Sequence, residues 1–248
     1  MFGLMYLKGD LNHMRLKTVL TLAVLLALAI APAAVRGDPL DLPVKWSQLP
    51  DMDLGTDWLS IHQVDGPVVV DDFESNGMPI AGFHWWGSYL DGMDPDPGMW
   101  KMFEISFHTD VPVGQDPFSQ PSQEYQFQMI LTQETFYGTT NGGEDVYEYW
   151  ALLDYLWLEE AGQIYWVDFA YDQSQGLRDW GWHESETQWN DFAVQTQPPS
   201  PGGNPHLGPW APLDVDMAFE VLTIPEPATM LLLAGGFGLL AFRRKKKS

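Results

Sequence analysis

Between Val64 and Leu222 apolar residues recur at every second position in short runs, the period of strands that turn one face to a core. In Lys101 to His108, Met102, Glu104, Ser106 and His108 fall on one face and Phe103, Ile105 and Phe107 on the other, which predicts a half-buried strand. Gln163 to Tyr171 likewise sets Ile164, Trp166 and Asp168 against Tyr165, Val167 and Phe169. Further strands are predicted at Val68 to Phe73, Ile80 to Tyr89, Tyr125 to Leu131, Trp180 to Trp182 and Val215 to Leu222. Val146 to Leu158 fits strand and helix alike, because Trp150, Leu153 and Trp157 also keep helical spacing. Turns are marked by Ser75-Asn76-Gly77 and Asn141-Gly142-Gly143, and Pro198 to Pro212 reads as a Pro/Gly loop.

Many short strands separated by turn signals, with no strand-helix-strand rhythm, predict an all-β fold: an antiparallel β-sandwich, jelly-roll-like, over residues 64–222. Residues 37–63, rich in Pro and Asp, read as an extended lead-in.

The two ends follow another pattern. Met14-Arg15-Leu16-Lys17 is basic, Thr18 to Ile30 is apolar, and Ala31-Pro32-Ala33 offers small residues to a signal peptidase. A signal peptide is expected over 1–36, with cleavage after Ala33 the first choice and Gly37 the second, and with Met14 an alternative start. At the other end Ile224-Pro225-Glu226-Pro227 holds the backbone extended. Ala228 to Phe242 carries no charge and predicts a transmembrane helix of marginal length, since about 1.5 Å per residue leaves it short of a hydrocarbon core about 30 Å thick. Arg243, Arg244 and three lysines follow at once, which places the C-terminus on the cytoplasmic face before processing.

The order Pro225-Glu226-Pro227, short Gly-rich apolar helix, basic cluster beginning at Arg243-Arg244 closely resembles the PEP-CTERM sorting signal over residues 223–248. The resemblance implies recognition and removal by an exosortase, a membrane-embedded cysteine transpeptidase, and delivery to the cell surface or extracellular matrix. Exosortase and signal peptidase are therefore the expected processing partners.

Charge narrows the partners further. Of the 12 Lys and Arg, three precede Ala34 and five follow Thr223, leaving Arg36, Lys45, Lys101 and Arg178. Of the 34 Asp and Glu, only Asp10 and Glu226 lie outside that stretch, so four cations face 32 carboxylates and the net charge is −28. Nucleic acid is excluded, because nothing neutralises phosphates. Such a surface attracts divalent cations and repels acidic polymers. The absence of cysteine removes disulfides, thiol catalysis and thiolate metal sites.

Four candidate chemistries remain. Trp85, Trp86, Trp166 and Trp182 are candidates for saccharide stacking; Trp85 and Trp86 point to opposite faces of a regular strand, which puts one of them near solvent. Asp51, Asp53 and Asp57 alternate around Gly55 like half of a calcium loop, without the distal glutamate of an EF-hand, so calcium is the one cofactor to consider. His84, His108 and His183, with Asp110 or Asp168, are metal-ligand types without ligand spacing. Glu104, Asp168, Glu184 and Glu186 beside aromatic strands supply the carboxylates of a glycoside hydrolase without fixing the separation that catalysis requires. No catalytic residue is assigned.

Val70-Asp71-Asp72-Phe73, His84-Trp85-Trp86-Gly87-Ser88-Tyr89, Ile105 to Pro112, Tyr165 to Asp168 and Trp180-Gly181-Trp182 with Gln188 to Val194 resemble, in this order, an uncharacterised domain of secreted planctomycete proteins. That resemblance implies an extracellular β-sandwich and no particular activity. The expectation is an exported, non-catalytic surface or matrix protein that associates with exopolysaccharide or other surface polymers. The alternatives are a carbohydrate-binding module with a defined saccharide pocket and a secreted glycoside hydrolase.

Overall fold

The computed structural model describes residues 41–90, 92, 100–114, 118–175 and 178–224, which lie in one unit, Pro39–Ile224. The expected signal peptide and transmembrane helix lie outside the described residues, among which no helix is long and apolar enough to cross a membrane. Thirteen strands are described: β1 (Val44–Gln48), β2 (Asp57–Leu59), β3 (Ile61–His62), β4 (Val69–Glu74), β5 (Ile80–Tyr89), β6 (Trp100–Val111), β7 (Gln120–Thr139), β8 (Asp145–Trp157), β9 (Ile164–Asp172), β10 (Trp180–His183), β11 (Val194–Thr196), β12 (Trp210–Pro212) and β13 (Phe219–Thr223). The all-β, antiparallel expectation holds, with the two-residue β3–β9 pairing the one parallel contact among them.

The sheet runs β1-β13-β5-β8-β7-β6-β9-β4-β11-β12, with β10 bridging β2 to β5. β7 turns the corner: its first part pairs with β6 as far as Gln133, and Glu134 to Thr139 pair with β8. The sheet therefore curls into a half-barrel, and the two layers expected of a sandwich are limbs of one sheet. Aromatic rings meet between them: Trp85 of β5 stacks on Phe169 of β9 at 4.5 Å, and Phe103 of β6 meets Tyr149 of β8 edge-on at 5.0 Å. β8 is a strand because β5 and β7 hydrogen-bond its two edges, which outweighs the helical spacing of its large residues. In β5, a Cβ on Gly82 would strike the Ala151 carbonyl and one on Gly87 the Trp180 ring, so both glycines allow neighbouring strands to close in.

Three expectations change here. The lead-in is extended but not apart: β1 pairs with β13, β2 with β10 and β3 with β9, so residues 44–62 are part of the sheet. β6 is buried on both faces from Phe103 to His108, because the segment after β11 lies over its outer face and over β9. There Val68, Val70, Trp166, Ala170 and Val194 form a second apolar cluster with Phe118 and Trp210. Trp85 and Trp86 do point to opposite faces, yet both are buried: Trp86 packs with Val146 and Ala218, under Met52 of the lead-in.

Two scarce cations are also inside. Lys45 pairs with Glu159, and Lys101 lies 3.5 Å from Glu134, whose Oε2 accepts from Tyr89 and Tyr149 at 2.7 and 2.6 Å. With both lysines internal, the surface is more acidic than the sequence total suggests.

Candidate functional site

The outer face of β6 carries Glu104, Ser106 and His108 at alternate positions, as the sequence predicts. Register then adds a carboxylate: Ser106 stands opposite Asp168 on β9. The fourth contributor comes from the Pro/Gly segment. A single 3-10 turn, Pro205–Leu207, places His206 over this face, held by Asn204 Oδ1 accepting from the His206 backbone N–H at 3.0 Å.

These side chains converge. Ser106 Oγ donates to Asp168 Oδ2 and lies 3.0 Å from His108 Nε2 and 3.3 Å from His206 Nδ1. Asp168 Oδ2 is 3.1 Å from His206 Nδ1 and 3.4 Å from His108 Nε2. All four residues are 0–1% exposed. On its far side His108 Nδ1 faces the Ser122 carbonyl at 2.9 Å. His206 Nε2 lies 3.1 Å from Glu104 Oε1, off the line of a good hydrogen bond, and the other Glu104 oxygen is 2.9 Å from Nδ1 of half-exposed His62. The Tyr125 ring stacks over both buried imidazoles, at 5.0 Å from His108 and 5.5 Å from His206.

Electrostatics match this crowding. Burial alone would raise the Asp168 carboxyl, but His206 and His108 bring it well below the usual carboxylate range. Burial works against a charged His206, and Asp168 with Glu104 overcomes it, so its pKa is raised. The neighbouring Glu104 carboxylate raises His62 as well. Ser106, His108 and Asp168 are the residue types of an acyl-transfer triad without its wiring: the far nitrogen of His108 meets a backbone carbonyl, and the hydroxyl has no exposed face. What the cluster can do is hold a proton or a cation.

The other predicted residues are dispersed. His84 lies on the opposite limb between Glu220 (3.0 Å) and Glu148 (3.1 Å), stacked on Trp150, and His183 pairs with Asp57 at 3.0 Å. Asp110 accepts from Trp166 Nε1. Of the expected metal ligands only His108 and Asp168 therefore meet; His206 and Glu104 complete the group. Spacing does not reveal His206, an isolated histidine in a loop.

Trp85, Trp86, Trp166 and Trp182 are 0–2% exposed and offer no ring face to a saccharide, because both sides of their strands are covered. The calcium-type aspartates diverge as well: Asp51 caps Asp53 and Leu54, Asp53 accepts from Asn141, and Asp57 accepts from Ser88 and faces His183. Of the hydrolase carboxylates, Glu104 and Asp168 are buried in the histidine cluster, Glu184 accepts from Thr56 and Trp58, and Glu186 is exposed.

A second group of buried acids lies where β4 meets the segments around Asp191 and Asp216. Asp72 accepts from Asn190 at 2.7 Å, and Gln48 Nε2 reaches Asp71 and Asp216 at 3.5 and 3.3 Å. Burial pushes Asp72 up to about 8 against the Asn190 bond, with Asp191, Asp216 and Asp110 adding repulsion, and pushes Asp216 up to about 6.

No curated protein and no solved structure matches the chain. The model of a PEP-CTERM protein-sorting motif matches residues 223–246, which include Pro225, Glu226, Pro227, Arg243 and Arg244, all outside the described residues. This motif implies export and processing by an exosortase. The model of a domain of unknown function, DUF7901, matches residues 44–222, nearly the whole of the curled sheet. The chain thus belongs to the DUF7901 family and carries a PEP-CTERM sorting motif directly after that domain.

Proposed function

We propose that this exported protein is a non-catalytic component of the cell surface or extracellular matrix, whose β domain associates with exopolysaccharide or another surface polymer. The observation that carries the reading is the junction at Thr223: the last strand ends where the sorting motif begins, so the domain is the cargo of that motif.

The surface that supports polymer association is the outward side of β7, not the buried tryptophans. Phe127 (50% exposed), Met129 (38%) and Leu131 (50%) alternate along it, and exposed Tyr155 of β8 bonds to the Phe127 carbonyl at 3.1 Å. The exposed rings of Phe127 and Tyr155 suit stacking on sugar rings. The acidic surface favours a neutral polymer over an acidic one.

Mass analysis and fractionation of the native protein test the reading. Loss of the segment after Pro225-Glu226-Pro227, with the domain in the outer-surface or matrix fraction, is the expected result. An intact tail in the inner membrane sinks it. Given that localisation, Phe127→Ala with Tyr155→Ala is expected to lower retention on matrix polymer at least several-fold while leaving thermal stability within about 0.5 kcal/mol of wild type, as for other exposed positions.

A further inference from the structure

The histidine cluster has more lone pairs than protons. Because His108 Nδ1 faces the Ser122 carbonyl, it carries the ring hydrogen and leaves Nε2 as a lone pair pointing inward. The Glu104 carboxylate beside His206 Nε2 favours the hydrogen there and leaves Nδ1 as the inward lone pair. Two imidazole nitrogens and a carboxylate oxygen then surround one hydroxyl, Ser106, with a single hydrogen to share. Asp168 Oδ1, also buried, has no hydrogen-bond partner among the described residues.

The spacing is that of a coordination shell. A tetrahedral ion with ligands at about 2.0–2.1 Å has ligand–ligand edges about 1.6 times longer, or about 3.3 Å. Four of the six edges are 3.0 Å (Ser106–His108), 3.1 Å (His206–Asp168), 3.3 Å (Ser106–His206) and 3.4 Å (His108–Asp168), the Ser106–Asp168 edge is a hydrogen bond shorter than these that an ion must open, and the His108, Asp168 and His206 donor atoms all lie within 4.8 Å of one another. His108 also has a hydrogen-bond acceptor behind it, the Ser122 carbonyl, the outer support that orients metal-bound histidine and fixes its tautomer, and the Glu104 carboxylate lies 3.1 Å behind His206 Nε2 as a charge without a well-aligned bond.

We propose that His108 Nε2, Asp168 Oδ2 and His206 Nδ1, with Ser106 Oγ as the fourth donor, form a closed structural site for one divalent transition metal of the zinc class. Two imidazoles select such an ion over calcium or magnesium, which take oxygen shells. Burial of every donor makes the site structural, since an open position for water or substrate is what a catalytic site retains. The ion ties β6 and β9 to the segment that carries His206, and it is captured as that segment docks.

The test uses untagged full-length protein, stripped with a chelator and reconstituted with zinc in a large excess of calcium, which occupies carboxylate-only sites. One equivalent of zinc retained after desalting is expected, with a thermal midpoint that rises on adding zinc and falls on chelation. Cobalt in place of zinc should give the intense visible absorption of a tetrahedral nitrogen–oxygen site. His206→Gln should abolish the retained equivalent, and Glu104→Gln should weaken it about 10–100-fold, as for other outer-shell partners. His84→Gln, which alters a buried histidine–carboxylate group on the opposite limb, should leave it unchanged. The wild-type stoichiometry and cobalt spectrum require no variant to fold. No retained zinc, a midpoint indifferent to chelation, an octahedral cobalt spectrum, or equal binding by His206→Gln would each overturn the proposal and leave a protonated His206 paired with Asp168 in its place.

Discussion

Asp72 concentrates the residue-scale cost of this fold. One of its oxygens accepts from Asn190, the other has no partner among the described residues, and Asp191, Asp216 and Asp110 add their charges. With its folded pKa raised to about 8 and an unfolded value near 4, Asp72 contributes stability that is complete at low pH and lost as pH rises through about 8. Asp216, raised to about 6, adds a loss in the same direction at lower pH. Asp168 acts oppositely: its depressed pKa gives stability that is lost only as the medium becomes strongly acidic. The thermal midpoint is therefore expected to be higher at pH 5 than at pH 8, and Asp72→Asn should flatten that slope, each kcal/mol recovered at pH 8 being worth about 2–4 °C in a domain of this size. A midpoint that climbs between pH 5 and pH 8 would show that Asp72 is ionised in the folded protein. Nothing in the alternation of β4 distinguishes Asp71-Asp72 from a solvent-facing pair; only the segments that close over them make them costly.

At the scale of elements, the stretch before Val64 carries more of the fold than its Pro- and Asp-rich composition suggests. β1 supplies Lys45 to buried Glu159 and Trp46 to Trp189, 4.7 Å away edge-on, and β2 supplies Asp57 to His183. A chain beginning at Val64 leaves Glu159 and His183 without these partners, and removing one member of a buried ion pair costs about 3–5 kcal/mol. Two such losses approach the whole stability of an ordinary domain, about 5–15 kcal/mol. The shortened protein is expected to lose its cooperative unfolding transition, measured by tryptophan fluorescence against denaturant; an unchanged midpoint would mean that these strands only decorate the sheet edge. Central strands are the legible elements: β5 and β9 fall within a residue of their predicted positions and β6 runs three residues past its predicted end, because central strands must match side-chain period to a covered face. β1 to β3 are short edge or bridging strands, and their pairing depends on partners more than a hundred residues away.

For the whole molecule, charge is the dominant long-range term. A net charge of −28 over residues 34–223, with the side chains of Lys45 and Lys101 enclosed, leaves a surface that repels itself. Raising NaCl from about 0.01 to 0.15 M shortens the screening length from about 30 to 8 Å, so the thermal midpoint should rise by several degrees. A midpoint that falls with salt would mean that local ion pairs outweigh the repulsion. The sequence by itself determined the all-β class, the positions of the central strands, the acidic character and the sorting motif, because periodicity, composition and a contiguous terminal signal are local properties that need no partner. It also placed Glu104, Ser106 and His108 on one face of β6. Only the tertiary structure decided what lies over that face: register brought Asp168 opposite Ser106, and the segment after β11 brought His206 across both strands. The same covering buried the tryptophans that composition offers to a ligand, while Phe127 of β7 and Tyr155 of β8 remained exposed. Alternation reports which residues share a face, and only the layers stacked on that face determine whether it meets solvent, a core or another charge.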